Sequence, residues 1–319
     1  MLILRRIFDT HSGGKDIASL QDAPQQSSTG AVYAVAAFLI WGLSPIYWRE
    51  LHAVPALEIV MHRVVWSPLV LVPVLIRQKR WTELAATLKE PRSVLALLLT
   101  TILISSNWLI FIWAINNEQV LQTSIGYYIT PLINVFLGMV FLHERLRPLQ
   151  VAALALAVAA VLYLTIDYGS FPWIAVTLGV TFGCYSLVHK VLKVSSIAGL
   201  SLEILLLCGP ATAYLIYLNA EGRGSFLHAG LTIDLLLMAT SLFTALPLLL
   251  FTRGTKRLHL STLGFLQYIA PSCYFLLAAF YFHESVSSAQ IWTFALIWLA
   301  LSCYSTDSVL YYRWVTIRK

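Results

Sequence analysis

The chain is organised in stretches of about 20 mostly apolar residues, joined by short polar connections, from Gly30 to its last residues. A helix needs about 20 such residues to cross the hydrocarbon core of a bilayer. Only 11% of the 319 residues are charged, against roughly a quarter in ordinary soluble domains. The pattern therefore predicts a chain that has the bilayer as its solvent.

The predicted spans are helices. Backbone polar groups in hydrocarbon must be satisfied within a helix or a closed barrel, and the strand-like alternation of a barrel is absent from these stretches. We expect an all-α integral membrane protein with about ten transmembrane helices. They are placed at residues 30–49, 57–76, 93–115, 121–142, 148–167, 172–189, 199–218, 231–252, 260–282 and 287–311.

Basic residues are unevenly shared between the connections. Of the 21 Lys and Arg residues, 18 fall on the side that holds the N-terminus, and only Arg49 and Arg223 fall on the other. Cytoplasmic loops carry the excess of Lys and Arg. We therefore expect both termini in the cytoplasm, with polar tails at residues 1–29 and 312–319.

The chain contains an internal repeat. Tyr128 to Pro131 (YITP) is followed by His143-Glu144, and Tyr268 to Pro271 (YIAP) is followed by His283-Glu284, with an offset of 140 residues for both motifs. Weaker matches lie nearby, such as Leu-Glu-Ile around Glu58 and again around Glu203. Such repeats are common in transporter folds.

The repeat predicts two five-helix units, at residues 30–167 and 172–311. Since each unit contains an odd number of spans, the second must enter the membrane from the opposite side. Two inverted units create a central site that can open to either side by rocking, which is alternating access.

Proline lies near the middle of two spans. Pro131 and Pro271 each free the carbonyl four residues earlier, on Tyr127 and Gln267, so broken helices with substrate-facing or gating carbonyls are one interpretation. The alternative is a kink that serves helix packing alone, because membrane helices tolerate proline.

Ionisable side chains within a span are costly and mark functional sites by default. The second span carries Glu58, His62 and Arg63. Arg63 can hold a carboxylate or phosphate of a substrate, and Glu58 with His62, four residues apart on one face, can form a titratable pair. Alternatively, Arg63 pairs with an acidic side chain or reaches the membrane interface.

The repeat equivalent of Glu58 is Glu203, which inversion places near the other end of the bundle. The two carboxylates are candidates for opposite gates, or for interface carboxylates at helix N-termini. The position equivalent to Arg63 is Cys208. This asymmetry fits a substrate role for Arg63 better than a scaffold role.

Polar and aromatic residues within the spans are candidates for the lining of a solute cavity. The candidates are Trp41, Ser44, Tyr47, Trp66, Asn107, Trp108, Tyr127, Tyr185 and Gln267. Trp and Tyr also favour the membrane interfaces, so a belt or packing role is the alternative for many of them. Gly179 and Gly183 form a GxxxG pattern, which predicts close helix packing.

Other classes of function find little support. The sequence has no metalloprotease, phosphate-loop or nucleophile motif, and the four cysteines fall in apolar runs without metal-ligand spacing. We expect no catalytic residues, no metal and no cofactor. The net charge of +6 lies in the loops of a membrane protein, so no nucleic-acid partner is expected.

Several motifs together resemble a known family. They are Ala36 to Tyr47, Glu58-Ile59, His62-Arg63, Trp66-Ser67, Asn107-Trp108, Trp113-Ala114, Ser124 to Pro131, Glu144 to Leu146, Thr244 to Pro247 and Leu260 to Pro271. Over residues 30–310 the chain is similar to the drug/metabolite transporter superfamily, to its EamA-type permeases, and within them to the RarD family. Thr130, Ser186 and His189 depart from that pattern.

The resemblance implies ten spans, a bacterial inner-membrane location and a permease for a small metabolite or drug. We therefore expect a secondary transporter that uses alternating access, with protons as a candidate coupling ion and a monomer or homodimer as its state. A channel would predict a continuous polar stripe, which is lacking, and a membrane-embedded enzyme is the remaining alternative.

Overall fold

The computed structural model describes residues 28–116, 120–169, 171–281 and 287–317, and every regular element in these ranges is helical. The helices are α1 (Ser28–Glu50), α2 (Ala56–Arg77), α3 (Trp81–Lys89), α4 (Pro91–Asn116), α5 (Val120–Leu142), α6 (Pro148–Tyr168), α7 (Trp173–Val191), α8 (Ser196–Ala220), α9 (Leu231–Thr255), α10 (Leu260–Gln267), α11 (Ile269–Leu276) and α12 (Ser288–Ile317). A π-helical turn, Leu277–Tyr281, continues α11. Residues 1–27, most of the predicted N-terminal tail, and His283-Glu284 lie outside the described residues.

The predicted fold class is confirmed. Within the described ranges, nine helical segments are long and apolar enough to cross a membrane, α10 and α11 together counting as one. The 30-residue helix α12 follows them and packs along α6. Helix bounds differ from the predicted spans by a few residues, except that α12 continues to Ile317. The boundaries of the two predicted repeat units stay a prediction.

Helix α3 is a difference from the sequence-based prediction, which left residues 77–92 as a connection. Its nine residues are too few to span a bilayer, and it begins with an exposed Arg80–Glu83 contact of 3.1 Å. The other oxygen of Glu83 accepts a hydrogen bond from the backbone N–H of Ser195 at 2.7 Å. The helix therefore ties the connection between α2 and α4 to the start of α8.

The centre of the bundle shows how the two halves are related. Helices α5 and α10 run antiparallel, and the repeat-equivalent residues Tyr128 and Tyr268 meet where they cross. The Tyr268 hydroxyl donates to the Tyr128 carbonyl at 3.2 Å, and Asn134 donates to Gln267 at 2.7 Å. Equivalent residues meet in this way at a two-fold axis, and the antiparallel crossing is the one that an inverted repeat requires.

The packing of the other helices follows the same two-fold relation. The pair α1–α9 has its equivalent in α7–α4, and the pair α5–α7 has its equivalent in α10 and α11 against α1. The pairs α2–α8 and α6–α12 are each formed by equivalent helices. The interface between the halves is therefore the core of the molecule, and the central site lies within it.

Small residues permit these close crossings. A Cβ atom on Gly183 would lie 2.6 Å from the Ile133 side chain, as the GxxxG pattern predicted, and one on Gly264 would lie 2.7 Å from the Pro131 carbonyl oxygen. Without a directional hydrophobic force in lipid, such packing is a main source of helix association.

The two prolines behave differently. The helical hydrogen-bond pattern is interrupted at Tyr268, between α10 and α11, three residues before Pro271. Helix α5, in contrast, runs through Pro131 without interruption. The expected helix break at Pro131 is therefore wrong: one missing N–H does not end a helix that packs against α7 on one side and α10 on the other.

Candidate functional site

Arg63 projects from the second turn of α2 into the space between the two halves. Its Nε donates to Thr244 Oγ1 on α9 at 2.8 Å. The guanidinium lies over the rings of Trp48 and Trp108, with 5.0 and 5.2 Å to their centroids. Cation–π contacts of this kind stabilise a positive charge and fix the plane of the guanidinium.

The charge of Arg63 is not neutralised by a neighbour. In the part of the chain that the structure describes, no carboxylate lies within 4.0 Å of it, so the predicted alternative of an acidic partner is not found. The phenols of Tyr47, Tyr127 and Tyr274 surround it instead. A partly buried guanidinium with free donors is suited to a bidentate carboxylate or phosphate.

The aromatic side chains around Arg63, which are Tyr47, Trp48, Trp108, Tyr127 and Tyr274, are called the aromatic wall below. Contacts with neighbouring side chains hold several of them in place. Tyr47 stacks on Phe243 with 4.2 Å between centroids, and its hydroxyl donates to the Leu236 carbonyl. Tyr127 packs edge-on against Tyr274 at 5.2 Å. Side chains fixed in this way present a preformed surface to a flat or amphipathic solute.

The structure thus brings together four of the residues predicted for the site, Tyr47, Arg63, Trp108 and Tyr127. It adds residues that the sequence-based selection missed: Trp48, Thr244 and Tyr274. Trp48 directly follows Tyr47, and Thr244 begins one of the family motifs, so both signals were present in the sequence. Tyr274 lies one turn after Pro271 and carried no such signal.

Three predicted residues are engaged in contacts between helices. The amide of Asn107 donates to the Leu178 carbonyl and to Thr181 Oγ1, both at 2.9 Å, which ties α4 to α7. Trp41 lies in an aromatic cluster with Phe182 and Phe251, at 6.0 and 5.7 Å. Gln267, bonded to Asn134, belongs to the two-fold axis described above.

Glu58 and His62 lie apart from Arg63, at the end of the bundle where few basic residues are found. The Glu58 carboxylate accepts the backbone N–H and hydroxyl of Ser225 at 2.6 and 3.0 Å, and the N–H of Phe226 at 3.4 Å. His62 Nε2 is 3.9 Å from Glu58, too far for a hydrogen bond. Glu58 therefore joins α2 to the loop before α9.

The indole of Trp66 determines the protonation of His62. It donates to His62 Nδ1 at 3.0 Å, and an indole N–H is a donor only, so Nδ1 must be unprotonated. Glu58 and His62 each have other hydrogen-bond partners, and the titratable pair that the sequence suggested stays a prediction.

A similar contact closes the opposite end, which carries the basic loops and is called the basic end below. Glu144 accepts the N–H of Leu260 at 2.6 Å and both the N–H and hydroxyl of Ser261, at 2.8 and 2.6 Å. Burial raises the pKa of Glu144, but hydrogen bonds from His259, Ser261 and Leu260 outweigh it, so the pKa lies below its ordinary value. The carboxylate is thus charged and caps α10 from the other half.

Lys256 adds to the basic end. Its ammonium donates to the Leu192 carbonyl at 2.8 Å and also to the Val194 carbonyl. Burial lowers the pKa of Lys256 to about 8. Carboxylate caps and lysine contacts hold the loops of this end together.

Glu203 is fully buried in α8, near the basic end. It is not exposed at the membrane interface, so the alternative of an interface carboxylate at a helix N-terminus is wrong. Its oxygens contact Thr100, Tyr185 and His189.

The described residues contain no group of three or more His, Cys, Asp or Glu side chains that could hold a metal ion.

Comparison with known proteins agrees with this architecture. Residues 28–166 match the EamA-like transporter family. An uncharacterized transporter of Vibrio cholerae is 44% identical over 285 residues, 89% of this chain and 94% of that protein. Protein RarD of Escherichia coli is 41% identical, over 89% of this chain and 96% of that protein.

The fold is also found in a solved structure. A protein crystal structure that is 18% identical to this chain superposes with a TM-score of 0.69, over 87% of this chain and 97% of the other.

The helical bundle and its relatives define the class of multi-pass membrane transporters of the bacterial inner membrane. The chain belongs to the RarD family of EamA-like transporters, within the drug/metabolite transporter superfamily.

Proposed function

We propose that the protein is a secondary transporter that moves a small organic anion or zwitterion by alternating access, with Arg63 as the anchor of the solute. The observation that carries the proposal is the uncompensated guanidinium between Trp48 and Trp108, at the interface of the two halves. Thr244 on α9 holds Arg63 from the second half, so movement of the halves would change the site.

The architecture supports the mechanism. Carboxylate contacts join the two halves at both ends of the bundle, Glu58 with Ser225 at one end and Glu144 with Ser261 at the other. In the proposed cycle the two contacts open in turn, so that the Arg63 site faces one side of the membrane at a time. The basic end, with both termini, is the proposed cytoplasmic end.

The contacts of Glu58 and Glu144 also bear on the channel alternative. A channel requires a continuous polar path, whereas the aromatic wall surrounds Arg63 and carboxylate contacts join the halves at both ends.

Flux through purified protein in proteoliposomes tests the proposal. We expect saturable uptake of a subset of an amino acid, nucleotide and antibiotic panel under an imposed proton gradient, with a carboxylate or phosphate common to the solutes moved. One relative, from Pseudomonas aeruginosa, is named chloramphenicol-sensitive protein RarD, so the panel includes chloramphenicol. Protein-free liposomes are the control, and no protein-dependent flux of any solute would refute the proposal.

A further inference from the structure

A second cluster of ionisable groups lies away from the Arg63 site, towards the basic end. Glu203 Oε1 and His189 Nε2 are 2.8 Å apart, and both side chains are about 1–2% exposed. The Tyr185 hydroxyl donates to the other carboxylate oxygen at 3.3 Å, and Thr100 Oγ1 contacts Oε1. Each polar atom of the carboxylate thus faces a side-chain group that is able to exchange a proton or a hydrogen bond.

The charge of the cluster depends on one proton. An ionised Glu203 beside a neutral His189 gives a net charge of −1 in a site without water contact, and burial of an uncompensated charge costs several kcal/mol. Addition of one proton, to either member of the pair, makes the site neutral overall. A net charge costs more in a buried site than in water, so the two states of the pair differ in relative free energy between a buried and an open site.

Among the described residues of the packed elements, no other charged side chain contacts Glu203. On α3, Glu83 is bonded to Ser195. Lys190 donates to the Leu258 carbonyl, and Lys256, after α9, donates to the Leu192 and Val194 carbonyls. On α2, Arg63 is bonded to Thr244. Tyr185 and His189 on α7 are the titratable groups in contact with the carboxylate.

Thr100 allows the site to exist in both protonation states. Its hydroxyl is within reach of two acceptors, Glu203 Oε1 and the Leu97 carbonyl of its own helix at 3.0 Å. When Glu203 is ionised, the hydroxyl donates to the carboxylate; when Glu203 is protonated, the hydroxyl accepts from it and turns to Leu97. Thr100 belongs to α4 in the first half and Glu203 to α8 in the second, so the proton lies at their interface.

Glu58, the repeat equivalent of Glu203, differs in this respect. Its oxygens accept the backbone N–H groups of Ser225 and Phe226, which cannot reverse their direction, as well as the Ser225 hydroxyl, whereas every contact of the Glu203 carboxylate described above is with a side-chain group. The two equivalent glutamates therefore have different roles.

We propose that the Glu203–His189 pair is the proton-binding site of this transporter. The pair holds one proton while it is buried between α4, α7 and α8, and gives it to water when the basic end opens and Thr100 moves away. The inference rests on the proposed transport function, to which it adds the site of the coupling ion.

Proton uptake by the purified protein in detergent tests this inference without any solute. Bound protons are counted by titration between about pH 5 and pH 9, and infrared difference spectra follow the carboxyl and imidazole bands. We expect Glu203→Gln to bind about one proton fewer than the wild type and to lose the pH-dependent bands of the pair. Glu58→Gln, the matched control at the equivalent position, should titrate as the wild type does.

Thr100→Val gives a second, independent readout. Loss of the hydroxyl removes one hydrogen-bond partner of the Glu203 carboxyl group in either protonation state, so the pH-dependent infrared bands of the pair should shift in this variant. The inference is overturned if Glu203→Gln titrates like the wild type, if Glu58→Gln loses the proton instead, or if Thr100→Val leaves the bands of the pair unchanged. Arg63 is intact in all these variants, so failure here would not bear on solute binding, and absence of flux would not bear on proton uptake.

Discussion

Replacement of Arg63 by alanine is expected to abolish the thermal stabilisation that anionic solutes give to the purified protein. The guanidinium is the one positive group at the aromatic site among the described residues, and its Nε alone is used by Thr244. Loss of a buried charge-assisted contact costs about 2–5 kcal/mol, so affinity should fall by roughly 30-fold or more. A thermal-shift screen against the same solute panel, at two pH values, measures the loss.

Arg77→Ala is the matched control for this experiment. Arg77 belongs to the same helix, carries the same charge and is exposed at the basic end. Ligands should stabilise this variant as they stabilise the wild type. If every stabilising ligand bound Arg63→Ala equally well, Arg63 would not be the anchor.

Replacement of Gly264 by valine is expected to destabilise the whole bundle, because it forces apart the two helices at the two-fold axis. A Cβ atom there would lie 2.7 Å from the Pro131 carbonyl oxygen, and a backbone atom cannot turn away as a side chain can. Overpacking typically lowers the free energy of unfolding by about 1–3 kcal/mol. Since the clash here is with a backbone atom, we expect a loss at or above the upper end of that range. The unfolding temperature in detergent and the yield of monodisperse protein measure the effect.

Gly209→Ala is the control for the effect of adding a side chain to a glycine of a membrane helix where no neighbouring helix is close. Gly209 also lies within a membrane helix, and a Cβ atom there would meet nothing within 4 Å apart from its chain neighbours. Because Gly209 precedes Pro210, a small loss of helix stability is expected from alanine, well below that of Gly264→Val. Equal behaviour of the two variants would show that the α5–α10 crossing is not the close contact described above.

Much of the fold could be predicted from the sequence because the bilayer imposes a simple rule. About 20 apolar residues make one crossing, and the 140-residue offset of the YITP and YIAP motifs identifies equivalent positions. The meeting of Tyr128 and Tyr268 at the axis gives that offset a physical meaning. Helix α3 was not predicted, because its length and composition carry no membrane signal.

The candidate site was less predictable, since its geometry depends on contacts between residues distant in sequence. Arg63 stands out because charge in a membrane helix is costly. The same rule cannot separate Glu58, which caps a loop 167 residues away, from Glu203, which faces side chains able to exchange protons. Likewise, nothing local shows that Asn107 bonds to α7 while Trp108, next in sequence, faces Arg63.

The position of a helix break is a further feature that the sequence did not predict. The two prolines share a motif, yet only the second lies beside an interruption, because packing on both sides of α5 maintains the helix through Pro131.

Locking each end of the bundle is the most direct test of alternating access. Cysteine pairs at Arg145 and His259, beside the Glu144 contact, and at His52 and His228, near the Glu58 contact, can be joined by a short flexible thiol crosslinker in a variant without the four native cysteines. We predict that either crosslink alone stops uptake of the solutes moved by the wild type, and that cleavage of the crosslink restores it. Uptake that continues with one end locked would contradict a cycle in which the two ends open in turn.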